Sequence, residues 1–217
     1  MQLVANIVLV LLALTMGIRL LVRYVMRPRP HSLWYGVGLI LIAAAALPEV
    51  YRGLTGNLPT AMWWLYWITA SATVGFLGVG TAFLLSPKIG KVTLYTVALL
   101  CAAVLVATVL TAGSAPAEIT PETFAHAPTA AIKIPFLIQN IGGSLMILVG
   151  TVISFIQTRG WYNVLIALGT MIFAAGGASA GLLKYSSLFY FTQTAGIIVL
   201  YAGVAMSIRP RPAQTNA

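Results

Sequence analysis

Seven long apolar segments make up most of this chain, and they constrain its fold more than any other feature of the sequence. They cover residues 3–25, 32–51, 61–85, 92–112, 132–156, 161–183 and 187–208. Each segment is close to the ~20 residues that an α-helix needs to cross ~30 Å of hydrocarbon. The chain is 60% hydrophobic and only 7% charged, a composition that excludes a water-soluble domain of 217 residues. We therefore predict an all-α polytopic membrane protein in which residues 1–217 form a single domain of seven transmembrane helices.

The basic residues predict how this domain is oriented. If the segments cross the membrane in turn, one side holds most of the Lys and Arg residues: Arg19, Arg23, Arg27, Arg29, Lys88, Lys91, Arg159, Arg209 and Arg211. The other side holds the remaining basic residues and all the acids: Arg52, Lys133, Lys184, Glu49, Glu118 and Glu122. Basic loops stay in the cytoplasm, so we predict an N-terminus outside and a cytoplasmic C-terminus in the inner (plasma) membrane.

The same distribution explains the net charge of +9. Basic residues that flank membrane spans anchor the helices and attract anionic headgroups, so we expect membrane lipids as partners and no nucleic acid. The first segment carries its arginines towards and beyond its end, whereas a cleavable signal peptide carries its charge first. We expect it to remain as a span. All five tryptophans lie near predicted ends of segments, where we predict that they act as interfacial anchors: Trp34, Trp63, Trp64, Trp67 and Trp161.

Two stretches of the chain resemble each other and suggest an internal repeat. When residues 1–88 are laid on residues 132–211, Asn6-Ile7 meets Asn140-Ile141 and Trp34-Tyr35 meets Trp161-Tyr162. Further matches, in the same order, are Thr69, Ala72, Gly80, Ala82 and Pro87 with Thr192, Ala195, Gly203, Ala205 and Pro210. A true repeat would make segment 92–112 a linker in a parallel three-plus-one-plus-three plan. Apolar sequence of low complexity also produces such matches by chance, so both explanations stay open.

The strongly polar residues inside or beside the spans collect towards the predicted outer side. With a rise of ~1.5 Å per residue, Asn6 lies about one turn inside the outer boundary. Polar groups in hydrocarbon are costly unless they are paired or face a cavity, so they either join helices by hydrogen bonds or line a pocket. For the group as a whole we favour an outward-facing pocket. The predicted ligand-binding residues are Glu49, Arg52, Lys133, Gln139, Asn140, Lys184 and Gln193.

Glu49 is the residue that we single out, because it is the only acid inside or beside a span. Arg52 follows three residues later and is within reach on the same helix face. Two explanations stay open for this carboxylate. It forms a salt bridge at the membrane surface, or it contacts a ligand or carries a proton. Glycines such as Gly75, Gly78 and Gly143 are expected to serve close helix packing.

The sequence argues against catalysis and against cofactors. The two histidines, His31 and His126, fall on opposite predicted sides of the membrane, and the single cysteine, Cys101, lies in the middle of a span without a partner. No histidine lies within reach of a serine nucleophile inside a span. We therefore predict that the protein is not an enzyme and that it has no cofactor and no metal.

Two families share the general plan of the chain and differ from it in their key residues. The length and the seven helices with an outside N-terminus resemble the rhodopsins, which carry a retinal-binding lysine in the middle of the last helix. Here Lys184 precedes that helix. The three-plus-one-plus-three plan is similar to that of SWEET and PQ-loop transporters. The Pro-Gln dipeptide of that family is absent from every segment.

Two functions of different classes follow from these observations. The first is an integral membrane protein that binds, and in one version transports, a small solute or a lipid-like ligand through the outward-facing polar pocket. The second is a membrane sensor or accessory subunit, which would act through a protein partner or as a homo-oligomer. Uptake into sealed vesicles would favour the first, and a stably co-purifying protein would favour the second.

Overall fold

The computed structural model describes residues 2–115, 119, 129–183 and 186–208, and within these residues the fold is helical throughout. Seven α-helices follow one another along the described chain: α1 Gln2–Met26, α2 Pro30–Thr55, α3 Thr60–Leu85, α4 Pro87–Leu110, α5 Ala130–Thr158, α6 Trp161–Leu183 and α7 Ser186–Ile208. A short 3-10 turn, Ala112–Ser114, follows α4. The predicted all-α class is therefore confirmed.

Five of these helices, α1 to α5, are long and apolar enough to cross a membrane. The described parts of α6 and α7 contain shorter apolar stretches, Trp161–Phe173 and Phe191–Met206. Such sequences form helices because a helix pairs its own backbone N–H and C=O groups, for which hydrocarbon offers no partners. Length and composition thus indicate a membrane protein built as a helix bundle.

Local sequence determines where the helices begin and end. Pro30 opens α2 at a position where its missing N–H is not needed. Gly56 ends the same helix in the left-handed conformation, with φ 72°. The Ser86 hydroxyl accepts a hydrogen bond from the Lys88 N–H at 3.3 Å and starts α4. Because of this cap and of Pro87 behind it, α4 begins before the predicted position 92.

Six helices form a closed ring in the order α1, α2, α3, α5, α6, α7, and α4 lies outside it against α3 and α5. Neighbours joined by short connections are antiparallel, as shown by Gly17 of α1 beside Gly36 of α2. In contrast, α3 and α5 run in the same direction. The ring closes where the Thr194 hydroxyl donates to the Ala5 carbonyl at 3.3 Å and Arg19 donates to the Tyr201 hydroxyl at 3.1 Å.

The two ends of the ring differ in their residues, and we name them accordingly. The Glu49 end contains the N-termini of α1, α3 and α5 and the C-terminus of α2. The arginine end contains the C-terminus of α1, with Arg19 and Arg23. These names refer to the molecule alone and carry no statement about the sides of a membrane.

Glycines bring two pairs of ring helices into backbone contact. A Cβ atom placed on Gly143 of α5 would lie 2.7 Å from the carbonyl carbon of Val74 in α3. One placed on Gly169 of α6 would lie 2.9 Å from the Gly196 carbonyl oxygen in α7. Small residues permit such close approach between membrane helices, so these glycines have a packing role.

The tryptophans differ from the prediction at two positions. Trp63 and Trp67 of α3 are buried inside the protein, where they pack with Val104 of α4 and Ile132 of α5. The prediction that they anchor α3 at a membrane interface is therefore wrong, because the helix turns them towards α4 and α5. In contrast, Trp161 at the start of α6 is exposed.

Candidate functional site

A central cavity of about 450 Å³ lies inside the ring, towards the Glu49 end. All six ring helices contribute to its wall, and α4 does not. The wall is largely apolar, with polar side chains at a few positions. The polar members are Asn6 of α1, Glu49 of α2, Tyr66 and Thr73 of α3, Asn140 and Ser144 of α5, and Gln193 of α7. Its size and composition are typical of a site for a small organic molecule.

Two amides in this wall have no hydrogen-bond partner among the residues that the structure describes. Asn6 is only 4% exposed, and Gln193 is half-buried. Amide atoms that form no hydrogen bond within the protein keep their full capacity to donate and accept, either to water or to another molecule. Because both amides face a cavity, a bound molecule can supply the missing hydrogen bonds.

Two polar side chains of α5 have hydrogen-bonding capacity left over. The Asn140 amide donates to the Phe136 carbonyl at 2.8 Å, which leaves its own carbonyl oxygen as an acceptor. Ser144 follows one turn later on the same side of the helix and has no hydrogen bond within the described chain. The cavity therefore offers amide donors, amide acceptors and a hydroxyl, which bind a neutral polar group from several directions.

Glu49 and Arg52 form a salt bridge next to this wall, with 2.7 Å between Oε2 of Glu49 and a guanidinium nitrogen of Arg52. Both lie near the C-terminus of α2, one turn apart, and Glu49 is buried. The salt bridge predicted between Glu49 and Arg52 is thus present, and the same carboxylate also lines the cavity. Because the charges compensate each other, the pair adds no net charge to the site.

The other predicted site residues have different positions. Gln139 is buried on another side of α5, where its Oε1 accepts a hydrogen bond from the Cys101 thiol of α4 at 3.4 Å. Lys133 is exposed at the start of α5 and does not line the cavity. Lys184 lies outside the described residues. The structure therefore brings together Glu49, Asn140 and Gln193, with Arg52 beside them.

The wall also contains residues that the sequence analysis did not select for the site, among them Asn6, Tyr66 and Ser144. Asn6 lies near the start of α1, at the Glu49 end, but its place in the sequence does not show which side of the helix faces the cavity. Ser144 carries the clearest signal in retrospect. It follows Asn140 by four residues, which places both side chains on one face of a helix.

The cavity ends at an apolar floor in the middle of the ring. Leu77 of α3, Ile147 of α5, and Ile197 and Leu200 of α7 pack together below it. Only about 20 Å³ of space remains among them, roughly enough for one water molecule. The cavity is therefore closed towards the arginine end.

The donor set of this site suits hydrogen bonding and does not suit metal binding. Among the described residues, no three His, Cys, Asp or Glu side chains lie close enough together to hold a metal ion. Comparison of the chain with protein-family models, with curated proteins and with solved structures gives no match in any of the three. The chemistry of the cavity is thus the observation from which a function can be proposed.

Proposed function

We propose that this protein binds a small solute or a lipid-like ligand in the central cavity. The supporting observation is the pair of amides, Asn6 and Gln193, that face this space without hydrogen bonds among the described residues. A ligand that satisfies them gains affinity from interactions that the empty protein lacks. Asn140 and Ser144 add further hydrogen bonds, and the apolar wall contributes by burying hydrocarbon.

We further propose that all seven helices span the inner membrane, with the Glu49 end outside. The excess of Lys and Arg at the arginine end supports this orientation. It is tested with single cysteines in a Cys101→Ala background. Thr60→Cys, exposed at the Glu49 end, should react with an impermeant maleimide in intact cells, whereas Gln157→Cys, exposed at the opposite end, should react only after lysis. The opposite pattern would reverse the orientation.

The internal repeat is part of the same proposal. If α1–α3 match α5–α7, a two-fold axis through the cavity should relate the two halves, and the order of the ring has the required form. Equivalent positions of the two halves line the cavity together: Asn6 and Asn140 are identical, whereas Ala46 corresponds to Phe173 and Ala70 to Gln193. Gly80 and Gly203 are likewise matched, and each faces the preceding helix of its own half.

Transport is the extension of this proposal that the repeat favours. Transporters built from repeats hold their substrate at the interface between the halves and open alternately to each side. In this protein the floor formed by Leu77, Ile147, Ile197 and Leu200 would have to part while the Glu49 end closes. Movement of a bound compound into sealed vesicles would establish that step.

Native mass spectrometry of the gently purified protein tests the binding proposal. We expect a defined bound mass on the wild type and its loss in Asn6→Leu, which keeps the size of the side chain and removes the amide. Glu49→Gln and Asn140→Ala should weaken the same binding. The matched control is Gln139→Leu, a buried amide outside the cavity, which should leave the bound mass in place.

Two outcomes would contradict the proposal. If the wild type carries no ligand after extraction in several mild detergents, or if the mass persists in Asn6→Leu, the cavity is not the binding site. A co-purifying protein subunit that is insensitive to these substitutions would favour the sensor or accessory function instead. Thermal unfolding of each variant separates lost binding from lost folding.

A further inference from the structure

Three residues of α5 both line the central cavity and are exposed, which marks a lateral way into it among the described residues. Leu137, Ile141 and Leu145 line the cavity, yet they are 41%, 59% and 56% exposed on the surface of the protein. They are spaced one turn apart on one face of the helix. We name these three residues the lateral opening. In a membrane, a molecule that passes them comes from the lipid and not from water.

The length of this opening matches one leaflet. Leu137 and Leu145 are eight residues apart, which corresponds to ~12 Å along the helix. Half of the hydrocarbon layer is ~15 Å thick. The opening therefore extends through most of the leaflet at the Glu49 end, and an alkyl chain can lie in it while its headgroup reaches the polar side chains.

The charges around the cavity select the headgroup. Of the described residues that line it, Glu49 and Tyr66 are the ones that titrate, and the carboxylate of Glu49 is bound to Arg52. Lys133, on α5, does not line the cavity. Among the described lining residues, no basic side chain can pair with an anionic headgroup, and the carboxylate of Glu49 is already paired with Arg52, so burying a charged headgroup there is unfavourable. A neutral headgroup can be bound by the amides of Asn6 and Gln193.

We propose that the ligand is a neutral lipid with a hydroxyl headgroup, which enters the central cavity sideways from the leaflet at the Glu49 end. This inference rests on the proposed binding function and adds to it the class of ligand and its path. A hydroxyl fits because it both donates and accepts, as do Asn6, Gln193 and Ser144.

Photolabelling of the full chain in phosphatidylcholine vesicles tests this inference. The probe is a long-chain alcohol with a diazirine in its alkyl chain, and the carboxylate and the amine of equal length are compared with it. We expect the alcohol to label cavity residues such as Ile42 and Phe173, in a way that excess unlabelled alcohol prevents. The charged probes should label them less by about tenfold or more.

Two substitutions on α5 test the path. Ile141→Trp fills the lateral opening and should reduce labelling of the cavity several-fold. Ile138→Trp is the matched control, since Ile138 is 50% exposed on the same helix but does not line the cavity, and it should have no effect. Equal labelling in both variants would overturn lateral access.

The remaining outcomes separate this inference from the proposed function. Labelling of the cavity by the carboxylate or the amine as strong as that by the alcohol would overturn the neutral headgroup. Labelling confined to lipid-facing residues, together with a small water-soluble mass that is lost in Asn6→Leu, would overturn the lipid and leave the binding function standing. If the cavity is not labelled and no bound mass is found, both the lipid inference and the proposed binding function are wrong.

Discussion

Gly143 provides the sharpest test of how the ring is held together. It lies on α5 where this helix touches the backbone of α3, and a Cβ atom there would be 2.7 Å from the Val74 carbonyl carbon and 3.1 Å from the Gly75 nitrogen. Ordinary contacts of a Cβ atom are 3.4–4 Å. Because backbone atoms cannot rotate away, Gly143→Ala must push α3 and α5 apart by about 1 Å.

The expected cost follows from this displacement. Overpacking of a well-packed interface costs about 1–3 kcal/mol. Alanine has a higher helix propensity than glycine, which stabilises the helix by up to about 1 kcal/mol in water. Since α3 and α5 share one of the long interfaces of the ring, the loss of close packing along it keeps the result unfavourable. We expect a decrease of about 1–3 kcal/mol in the free energy of unfolding.

Gly142→Ala is the matched control, one residue earlier on the same helix. A Cβ atom at Gly142 would have no neighbour within 4 Å, so this substitution should change stability by between zero and a gain of about 1 kcal/mol. Both variants are compared with the wild type by thermal unfolding in one detergent, monitored by circular dichroism. Equal transitions for the two alanines, or a more stable Gly143→Ala, would refute the close α3–α5 contact.

Three further predictions concern single interactions, each measured by the same unfolding assay. Arg52→Gln should destabilise by about 1–3 kcal/mol, the cost of leaving a buried group without its hydrogen bond. The loss should exceed that of Glu49→Gln, because Glu49 is the more deeply buried member of the pair and would lose its counter-charge; the reverse order would contradict this. Tyr35→Phe should cost only about 0.6 kcal/mol, since the lost 2.7 Å hydrogen bond leaves Thr81 bonded to its own helix; no measurable cost would mean that the bond is absent. Arg159→Gly should stabilise by about 1 kcal/mol, because Arg159 ends α5 at φ 48°, and a loss of stability would show that its side chain matters more.

The helices were predictable because local chemistry determines where they form, although α4 begins at Pro87 and not at the predicted position 92. Long apolar segments, Pro30, and the pair Ser86-Pro87 act within a few residues of their own position. The same holds for the salt bridge between Glu49 and Arg52, which are one turn apart on α2. In such cases the number of residues between two side chains is enough to predict that they meet.

The direction in which a side chain points was not predictable. Counting residues from the end of a helix gives depth, and depth places Asn6, Asn140 and Gln193 at the Glu49 end. It does not distinguish Asn140, which lines the cavity, from Gln139, which faces α4. In a soluble helix the polar face would mark the outside, but lipid and protein interior are both apolar, so this signal is lost. Trp63 and Trp67 were misplaced for the same reason.

The position of α4 outside the ring has a consequence for how the chain can be built. The helices α3 and α5 run in the same direction, so the chain must cross the bundle once between them, and α4 makes that crossing. Without α4, helix α5 would begin at the other end and the second three helices would be inverted. In this architecture α4 therefore determines that α5 begins at the same end of the bundle as α3.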